Sequence, residues 1–215
     1  MNLCVCGGCD TCKSELYSDA IRCMISALEY RDPYTKGHSI RVGEMASFLA
    51  KKLRLSSNDV ILIHIAGQLH DIGKIGVADH ILRKNGKLND SEWNEIRNHS
   101  EIGANIVRES EQLKGIADMI LQHHERWDGY GYPQQLNEYE ITLGARILGL
   151  CDSLDAMASK RPYRDALEWD YIETELNKNF GSQFDPQLQS YLNPLIEFWR
   201  TNYVDDAHLE EQHVA

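Results

Sequence analysis

Apolar residues recur at intervals of three and four along most of this chain, which is the spacing of one face of an α-helix. The pattern runs over residues 20–28, 42–53, 60–69, 102–107, 116–121 and 143–158, resumes after residue 167, and closes with residues 184–199. Alternation of apolar and polar residues, which would indicate strands, is not sustained anywhere. The sequence therefore predicts an all-α domain built from many helices.

Local signals predict where some of these helices begin and where one long loop lies. Ser57 and Asn58 precede an apolar run and are predicted to cap its helix. Asn89 followed by Glu92 is a capping pair in which each residue can satisfy a backbone amide near the helix start. Over residues 125–140 the periodicity stops and glycine and proline become frequent, so we expect a loop there.

Composition and charge exclude several classes of protein. The formal net charge of −11 argues against binding to duplex nucleic acid, which requires a basic face. No apolar run approaches the roughly 18 residues of a membrane span, and the N-terminus lacks the features of a secretory signal, so a cytoplasmic protein is predicted. We expect a cysteine-rich segment over residues 1–13, one domain over residues 14–203 and an acidic tail over residues 204–215.

Seven histidines and aspartates fall on successive helical segments, near their ends or junctions. Helical proteins assemble metal sites in this way, from side chains that point inward from several helices. Any one histidine on an apolar face is usually a satisfied core or capping residue, and His64 and His80 are interpreted in that way. The candidate set is His38, His70, Asp71, His99, His123, His124 and Asp152.

Two doublets in this set are more specific than scattered histidines. His70-Asp71 ends one apolar run, and His123-His124 ends another. A charge buried at such a position is costly unless it is paired or bound to a metal. Both doublets are therefore predicted to contribute to a site between helices.

The chain resembles the HD-GYP family, a branch of the HD phosphohydrolase superfamily. The resemblance rests on several long motifs in the family's order. They are Arg31-Asp-Pro-Tyr-Thr-Lys-Gly-His38, His70-Asp71-Ile-Gly-Lys74-Ile-Gly, His99, His123-His-Glu-Arg-Trp-Asp-Gly-Tyr-Gly131-Tyr132-Pro133, Asp152-Ser-Leu-Asp155-Ala and Arg161-Pro-Tyr-Arg164. The resemblance implies a single HD-type multi-helix domain that hydrolyses a 3′–5′ cyclic dinucleotide, typically cyclic di-GMP.

The resemblance also implies roles for individual residues. The seven histidines and aspartates would bind two divalent metal ions, with Asp71 bridging them and acting in catalysis. Lys74 would lie near the scissile phosphate and act in catalysis. Substrate binding would involve Lys74, Tyr132, Arg161 and Arg164. Mixed imidazole and carboxylate ligands suit iron or manganese, with zinc or nickel as alternatives. Such ions generate a hydroxide nucleophile at neutral pH.

Two departures from the family pattern affect the expected chemistry. Some members carry a glutamate, four residues before the first ligand histidine, that helps to bind a third metal. This chain has Tyr34 there, so two metals and a linear dinucleotide product are predicted. Gln135 and Glu138 stand where the family usually has glycines after Pro133, which predicts a stiffer or differently shaped loop.

The N-terminal cysteines allow two interpretations. Cys4, Cys6, Cys9 and Cys12 are spaced compatibly with a thiolate site for zinc or an iron–sulfur centre. The alternative is a reducible tail that holds no specific metal. If a metal is bound, the segment would sense metal or redox state.

Two other functions remain open at this point. The domain could bind a cyclic dinucleotide or a protein partner without turnover, or it could be a related HD phosphohydrolase that acts on other nucleotides. The complete ligand set and the Gly131-Tyr132-Pro133 loop favour the cyclic dinucleotide phosphodiesterase. A homodimer or a protein signalling partner is possible on either interpretation.

Overall fold

The computed structural model describes residues 10–32, 37–84, 86–160 and 166–203, with side chains from Ser18 onward. Ten α-helices occupy these ranges. They are α1 (Asp10–Arg31), α2 (His38–Lys52), α3 (Ser57–Leu69), α4 (Asp79–Leu82), α5 (Asp90–Arg97), α6 (His99–Arg108), α7 (Ala117–Gln122), α8 (Leu143–Ala158), α9 (Trp169–Lys178) and α10 (Leu192–Tyr203). Short 3₁₀ helices cover Ile72–Gly76, Lys114–Ile116, Glu138–Glu140 and Pro186–Tyr191.

The predicted all-α fold is confirmed. Within the described ranges the only strand-like feature is an isolated bridge between Phe180 and Phe184. None of the helices in this part of the chain has both the length and the apolar character of a membrane span. The last predicted helix begins later than expected, because a 3₁₀ helix precedes α10.

The two predicted caps had different outcomes. Asn89 and Glu92 form the expected reciprocal pair, with bonds of 2.9 Å and 2.8 Å between each side chain and the other residue's backbone amide. The predicted cap of α3 was wrong by one residue. Ser56 is the cap, and its hydroxyl accepts a bond from the Asp59 amide.

The core lies where α2, α3, α7 and α8 pack together. Met45 and Leu49 from α2 and Leu148 and Leu154 from α8 are completely buried in it. Burial of such side chains contributes roughly 1.5–3 kcal/mol each. This packing fixes the ends of the helices relative to one another, and the candidate site lies at those ends.

Glycines allow two of these packing contacts to be unusually close. A Cβ added to Gly67 in α3 would lie 2.7 Å from the Cα of Gly43 in α2. A Cβ added to Gly73 in the 3₁₀ helix after α3 would lie only 1.9 Å from the carbonyl oxygen of His99. Backbone therefore packs directly on backbone at both places.

Helix α1 holds the segment that carries Lys74. The guanidinium of Arg31 donates a 3.0 Å hydrogen bond to the Lys74 carbonyl oxygen and also bonds the carbonyls of Ile75 and Val77. Helix α1 begins at Asp10, so it includes the last four residues of the cysteine-rich segment 1–13.

Candidate metal centre and adjoining cleft

Four of the predicted histidines lie at helix ends. His38 is the first residue of α2 and His99 the first residue of α6, whereas His70 and His123 directly follow α3 and α7. Their rings meet, with centroids 5.1 Å apart for His38 and His70, 5.1 Å for His70 and His123, and 5.2 Å for His99 and His123. The expectation that Asp152 also lies near a helix end was wrong, because it lies inside α8.

The predicted side chains form two clusters. Ligand atoms of His38, His70 and Asp152 lie within 4.8 Å of one another, and so do those of His99, His123 and His124. In the first cluster the Nε2 atom of His38 is 3.3 Å from Nε2 of His70 and 3.3 Å from a carboxylate oxygen of Asp152. In the second, Nε2 of His99 is 3.3 Å from Nε2 of His123.

Asp71 lies between the two clusters. Its Oδ2 atom is 3.5 Å from Nε2 of His70 and 3.9 Å from Nε2 of His38. Its other oxygen, Oδ1, is 3.5 Å from Nε2 of His99. One carboxylate thus presents one oxygen to each cluster. Lys74 donates a 2.7 Å hydrogen bond to Oδ2 of the same carboxylate.

Three of the imidazole rings are oriented by their own helix ends. Nδ1 of His70 donates to the Gly67 carbonyl at 2.7 Å. His99 and His123 make the same bond to the carbonyls of Ile96 and Ile120, at 2.5 Å and 2.6 Å. Because a carbonyl only accepts, the Nδ1 atom of each neutral ring must carry the proton, and the Nε2 atom carries a lone pair.

These proton positions determine what the clusters can hold. The facing Nε2 atoms of His99 and His123 are both acceptors, and two acceptors 3.3 Å apart repel each other. A cation between them would turn that repulsion into coordination, which is the arrangement of metal-binding histidines with Nδ1 bonded to a carbonyl or carboxylate. The donor set of each cluster therefore fits a divalent transition metal.

Burial keeps the second cluster neutral. Desolvation lowers the pKa of His124 to about 3 and lowers the pKa of His123 well below its ordinary value, and neighbouring histidines add to both effects. Burial alone would raise the pKa of Asp71, but Lys74 and the nearby histidines hold it well below its usual range. The second cluster thus combines neutral imidazoles with the ionised Asp71 carboxylate beside it, the protonation states that metal ligands require. In the first cluster burial lowers the pKa of His38, but hydrogen bonds to Asp152 and Asp155 outweigh it and raise that pKa to about 9, so a metal bound there would displace a proton from this ring.

Asp155 was not predicted as a site residue, yet it orients His38. Its Oδ2 atom accepts a 2.8 Å hydrogen bond from Nδ1 of His38. Arg41 donates two hydrogen bonds to the same carboxylate, at 2.7 Å and 3.0 Å, and the Trp199 indole donates a third, at 2.8 Å. Its position three residues after Asp152, on the same face of α8, is the sequence signal that could have identified it.

A cleft adjoins the second cluster. Its volume is about 260 Å³, and His123, His124 and Asp152 form part of its wall. Tyr132 lies over His124 with ring centroids 4.8 Å apart. Burial, followed by the charges of Asp152 and Asp71, raises the pKa of the Tyr132 phenol, so its hydroxyl stays protonated and can donate. The predicted site residue Tyr132 thus lies at the junction of cleft and clusters.

The predicted loop over residues 125–140 forms another wall of the cleft. Gln135 and Glu138, at positions where the family usually has glycines, have φ angles of 55° and 47°. These values lie in the left-handed region that glycine adopts without strain and that costs other residues roughly 1–2 kcal/mol. The carboxylate of Glu125 accepts a 2.6 Å hydrogen bond from the Gln134 amide, which anchors this part of the loop.

Some predicted residues lie outside the described residues. They are Arg161, Arg164, Tyr34, Cys4, Cys6 and Cys9, whereas Cys12 lies in the first turn of α1. His64 and His80, which were expected to have no site role, belong to neither cluster. His64 instead contacts the Gly43 carbonyl oxygen, with Nδ1 3.0 Å away.

Comparison with known proteins places this geometry in a family. Residues 22–188 match the family model described as HD domain. The chain is 34% identical over 196 residues to 3′3′-cGAMP-specific phosphodiesterase 3 of Vibrio cholerae, covering 89% of this chain and 43% of that protein. It is 40% identical over 162 residues to a cyclic di-GMP phosphodiesterase of Thermotoga maritima, covering 74% and 44%. The chain thus spans less than half the length of these curated relatives.

A solved structure supports the same fold. The crystal structure of the cyclic GMP-AMP phosphodiesterase V-cGAP3 of V. cholerae superposes with a TM-score of 0.65 at 19% identity, over 89% of this chain and 53% of that one. At that identity the likeness concerns the fold alone. The family match, the His70-Asp71 doublet and the Gly131-Tyr132-Pro133 loop agree, and the chain belongs to the HD domain family, in its HD-GYP branch.

Proposed function

We propose that the protein is a metal-dependent phosphodiesterase that hydrolyses a cyclic dinucleotide, with cyclic di-GMP as the first candidate. The observation that carries this proposal is the position of Asp71, which presents one carboxylate oxygen to each of two histidine clusters. The names of the curated relatives support the substrate class. One relative is named for 3′3′-cGAMP and the other for cyclic di-GMP. The experiment below therefore also tests which bases the substrate carries.

The seven clustered side chains would hold two divalent metal ions. His38, His70 and Asp152 would bind one ion, and His99, His123 and His124 the other, with Asp71 shared. Iron or manganese suits these ligands best, with zinc or nickel as alternatives. When bound, such ions polarise phosphoryl oxygens and make a hydroxide available at neutral pH.

The chain's own residues would bind and orient the substrate. Lys74 is held beside Asp71 by its 2.7 Å hydrogen bond, so its ammonium group would lie next to the scissile phosphate and offset negative charge there. The protonated hydroxyl of Tyr132 would donate to a phosphate oxygen at the mouth of the cleft. Arg161 and Arg164 are proposed to add further phosphate contacts, as the family resemblance implies.

We further propose that hydrolysis stops at the linear dinucleotide. Tyr34 replaces the glutamate with which some relatives bind a third metal, and a neutral phenol is a poor substitute for a carboxylate. Metal analysis should therefore find two ions per chain. Three ions per chain, or GMP as the main early product, would contradict this part of the proposal.

The decisive experiment measures turnover of defined substrates. Manganese- or iron-loaded protein is incubated with cyclic di-GMP, cyclic di-AMP and 3′3′-cGAMP, and the products are separated by chromatography. The variant with His70→Ala and Asp71→Ala should lose both metal binding and activity. His80→Ala is the matched control, because His80 is an exposed histidine outside both clusters. Its activity should equal that of the wild type.

Two outcomes would contradict the proposal in different ways. Confirmed metal binding without turnover of any cyclic dinucleotide would instead favour a binding module. Activity that persists in the His70 and Asp71 double variant would show that the metal site lies elsewhere.

A further inference from the structure

In the described part of the chain, one arginine of the cleft forms no ion pair and has no role in the proposed function. Among the residues that the structure describes, three arginines line it: Arg97, Arg126 and Arg146. Arg126 forms an ion pair with Asp128 at 2.6 Å, and Arg146 forms one with Asp185 at 2.5 Å. Among the described residues, the Arg97 side chain has neither an ion pair nor a hydrogen bond. Of these three arginines, Arg97 is therefore the one whose N–H donors are available to a ligand.

Two aromatic rings hold the Arg97 guanidinium in place. Its central carbon lies 5.9 Å from the ring centroid of Trp93 and 5.4 Å from that of Tyr132. Such cation–π contacts use the face of the planar group and leave the N–H bonds at its edge free to donate. A guanidinium fixed in this way loses little side-chain entropy when it binds an anion.

Arg97 is also close to the reacting centre. Tyr132, which contacts the guanidinium, stacks on His124 of the second cluster with ring centroids 4.8 Å apart. Arg97 is therefore connected to that cluster through Tyr132, and it lies in the wall of the cleft. A group bound at Arg97 and a group bound at the clusters could belong to one small molecule.

The chemistry of the donor favours a phosphate. Arginine binds phosphate oxygens through two parallel N–H bonds, and the chain as a whole is acidic, with a formal net charge of −11. A free guanidinium at the cleft mouth thus stands out against a surface that repels anions. A cyclic dinucleotide carries two phosphodiesters on opposite sides of its macrocycle, and only one can lie at the clusters during hydrolysis.

We propose that Arg97 binds the second, non-scissile phosphate of the cyclic dinucleotide. This inference rests on the proposed function and extends it, because it explains how the site would select a cyclic dinucleotide over a substrate with one phosphate. Arg97 is a substrate-binding residue in this proposal and takes no part in bond cleavage.

The test compares two substrates that differ in phosphate number. Kinetics with cyclic di-GMP, which has two phosphodiesters, are measured beside kinetics with bis(p-nitrophenyl) phosphate, which has one. In Arg97→Gln the ratio of kcat/KM for cyclic di-GMP to kcat/KM for bis(p-nitrophenyl) phosphate should fall at least about tenfold, since a charge-assisted phosphate contact is lost. Arg97→Lys keeps the charge without the planar donors and should recover part of the loss.

Arg108→Gln is the matched control. Arg108 is an exposed arginine on α6, outside the cleft, and its surface pair with Asp118 contributes little to stability. Its substitution changes the net charge by the same amount, so the ratio should stay within twofold of the wild type. A ratio unchanged in Arg97→Gln, or a fall of equal size in Arg108→Gln, would overturn the inference.

Binding measurements separate this inference from the proposed function. Fluorescein-labelled cyclic di-GMP is titrated against each variant and followed by anisotropy. If the wild type binds the probe but turns over no dinucleotide, the proposed function fails, and a Kd at least about tenfold weaker in Arg97→Gln would still support the inference. An equal Kd in the two proteins would overturn it, and absence of binding together with absence of turnover would overturn both.

Discussion

Nδ1 of His38 donates a 2.8 Å hydrogen bond to Oδ2 of Asp155, although 117 positions separate the two residues. The carboxylate is almost completely buried and is held by Arg41 and Trp199. It fixes the His38 ring so that Nε2 faces His70 and Asp152, the other two members of the first cluster. Asp155 thus orients the His38 ring through Nδ1, as backbone carbonyls orient the rings of His70, His99 and His123.

Asp155→Asn is expected to weaken metal binding without removing a ligand. The amide can still occupy the space, but it cannot neutralise Arg41 or hold the His38 tautomer equally well. Loss of such a partner typically weakens metal affinity about 10- to 100-fold. Competition with a fluorescent chelator measures the change. Ser159→Ala removes a 3.2 Å contact to the same carboxylate and a 3.0 Å hydrogen bond from Arg41. Because it leaves the bond between Asp155 and His38 in place, it should have a much smaller effect.

Divalent metal is expected to stabilise the fold. Metal relieves the repulsion between facing Nε2 atoms, and a ligand at a hundred times its Kd adds about 2.7 kcal/mol to the free energy of unfolding. Thermal unfolding with manganese and with chelator measures the increment. His124→Ala should reduce the increment and His80→Ala should keep it. A wild-type Tm that does not respond to manganese, iron, zinc or nickel would contradict the assigned centre.

Gly73→Ala is expected to be strongly destabilising. The added methyl would lie 1.9 Å from the His99 carbonyl oxygen and 2.5 Å from the Gly103 amide nitrogen, both backbone atoms that cannot rotate away. We expect a loss of about 3 kcal/mol, at the upper end of overpacking effects, measured by urea unfolding. Gly115→Ala is the control, because a Cβ there would meet nothing within 4 Å. Equal stability of the two variants would contradict the close packing.

Asp185→Asn is expected to destabilise the wall of the cleft. Asp185 is fully buried and pairs with Arg146, whose guanidinium also packs on Trp127 and Tyr139. Removing one partner of a buried pair costs about 3 kcal/mol, because the other charge stays buried without compensation. Glu111→Gln breaks an exposed pair with Lys114 and should change the free energy of unfolding by less than about 0.5 kcal/mol. Urea unfolding of both variants measures the two changes in the free energy of unfolding.

The helices and the histidine doublets could be predicted because their signals are local. Apolar spacing identifies a long helix without reference to the rest of the fold, and His70-Asp71 lies directly after the apolar run of α3. The capping pair of Asn89 and Glu92 is equally local. The cap of α3 was misplaced because adjacent serines at positions 56 and 57 give nearly the same signal.

Residues that act across the fold could not be predicted in the same way. The spacing from Asp152 predicts that Asp155 lies on the same face of a helix, but it does not identify His38 as its partner, because their meeting depends on how α2 packs on α8. Arg97 gives no local signal either, since its role depends on Tyr132 from a distant loop. The left-handed conformation of Gln135 is likewise imposed by the surrounding loop and cannot be inferred from a glutamine.

The glycine contacts determine how precisely the distance between the two histidine clusters is set. Where Gly43 meets Gly67 and Gly73 meets His99, the spacing between helix ends is set by rigid peptide groups and not by side chains that can change rotamer. The interval between the two histidine clusters is therefore defined to within the small tolerance of a main-chain contact. We expect this interval to change less with temperature than distances that side-chain packing sets.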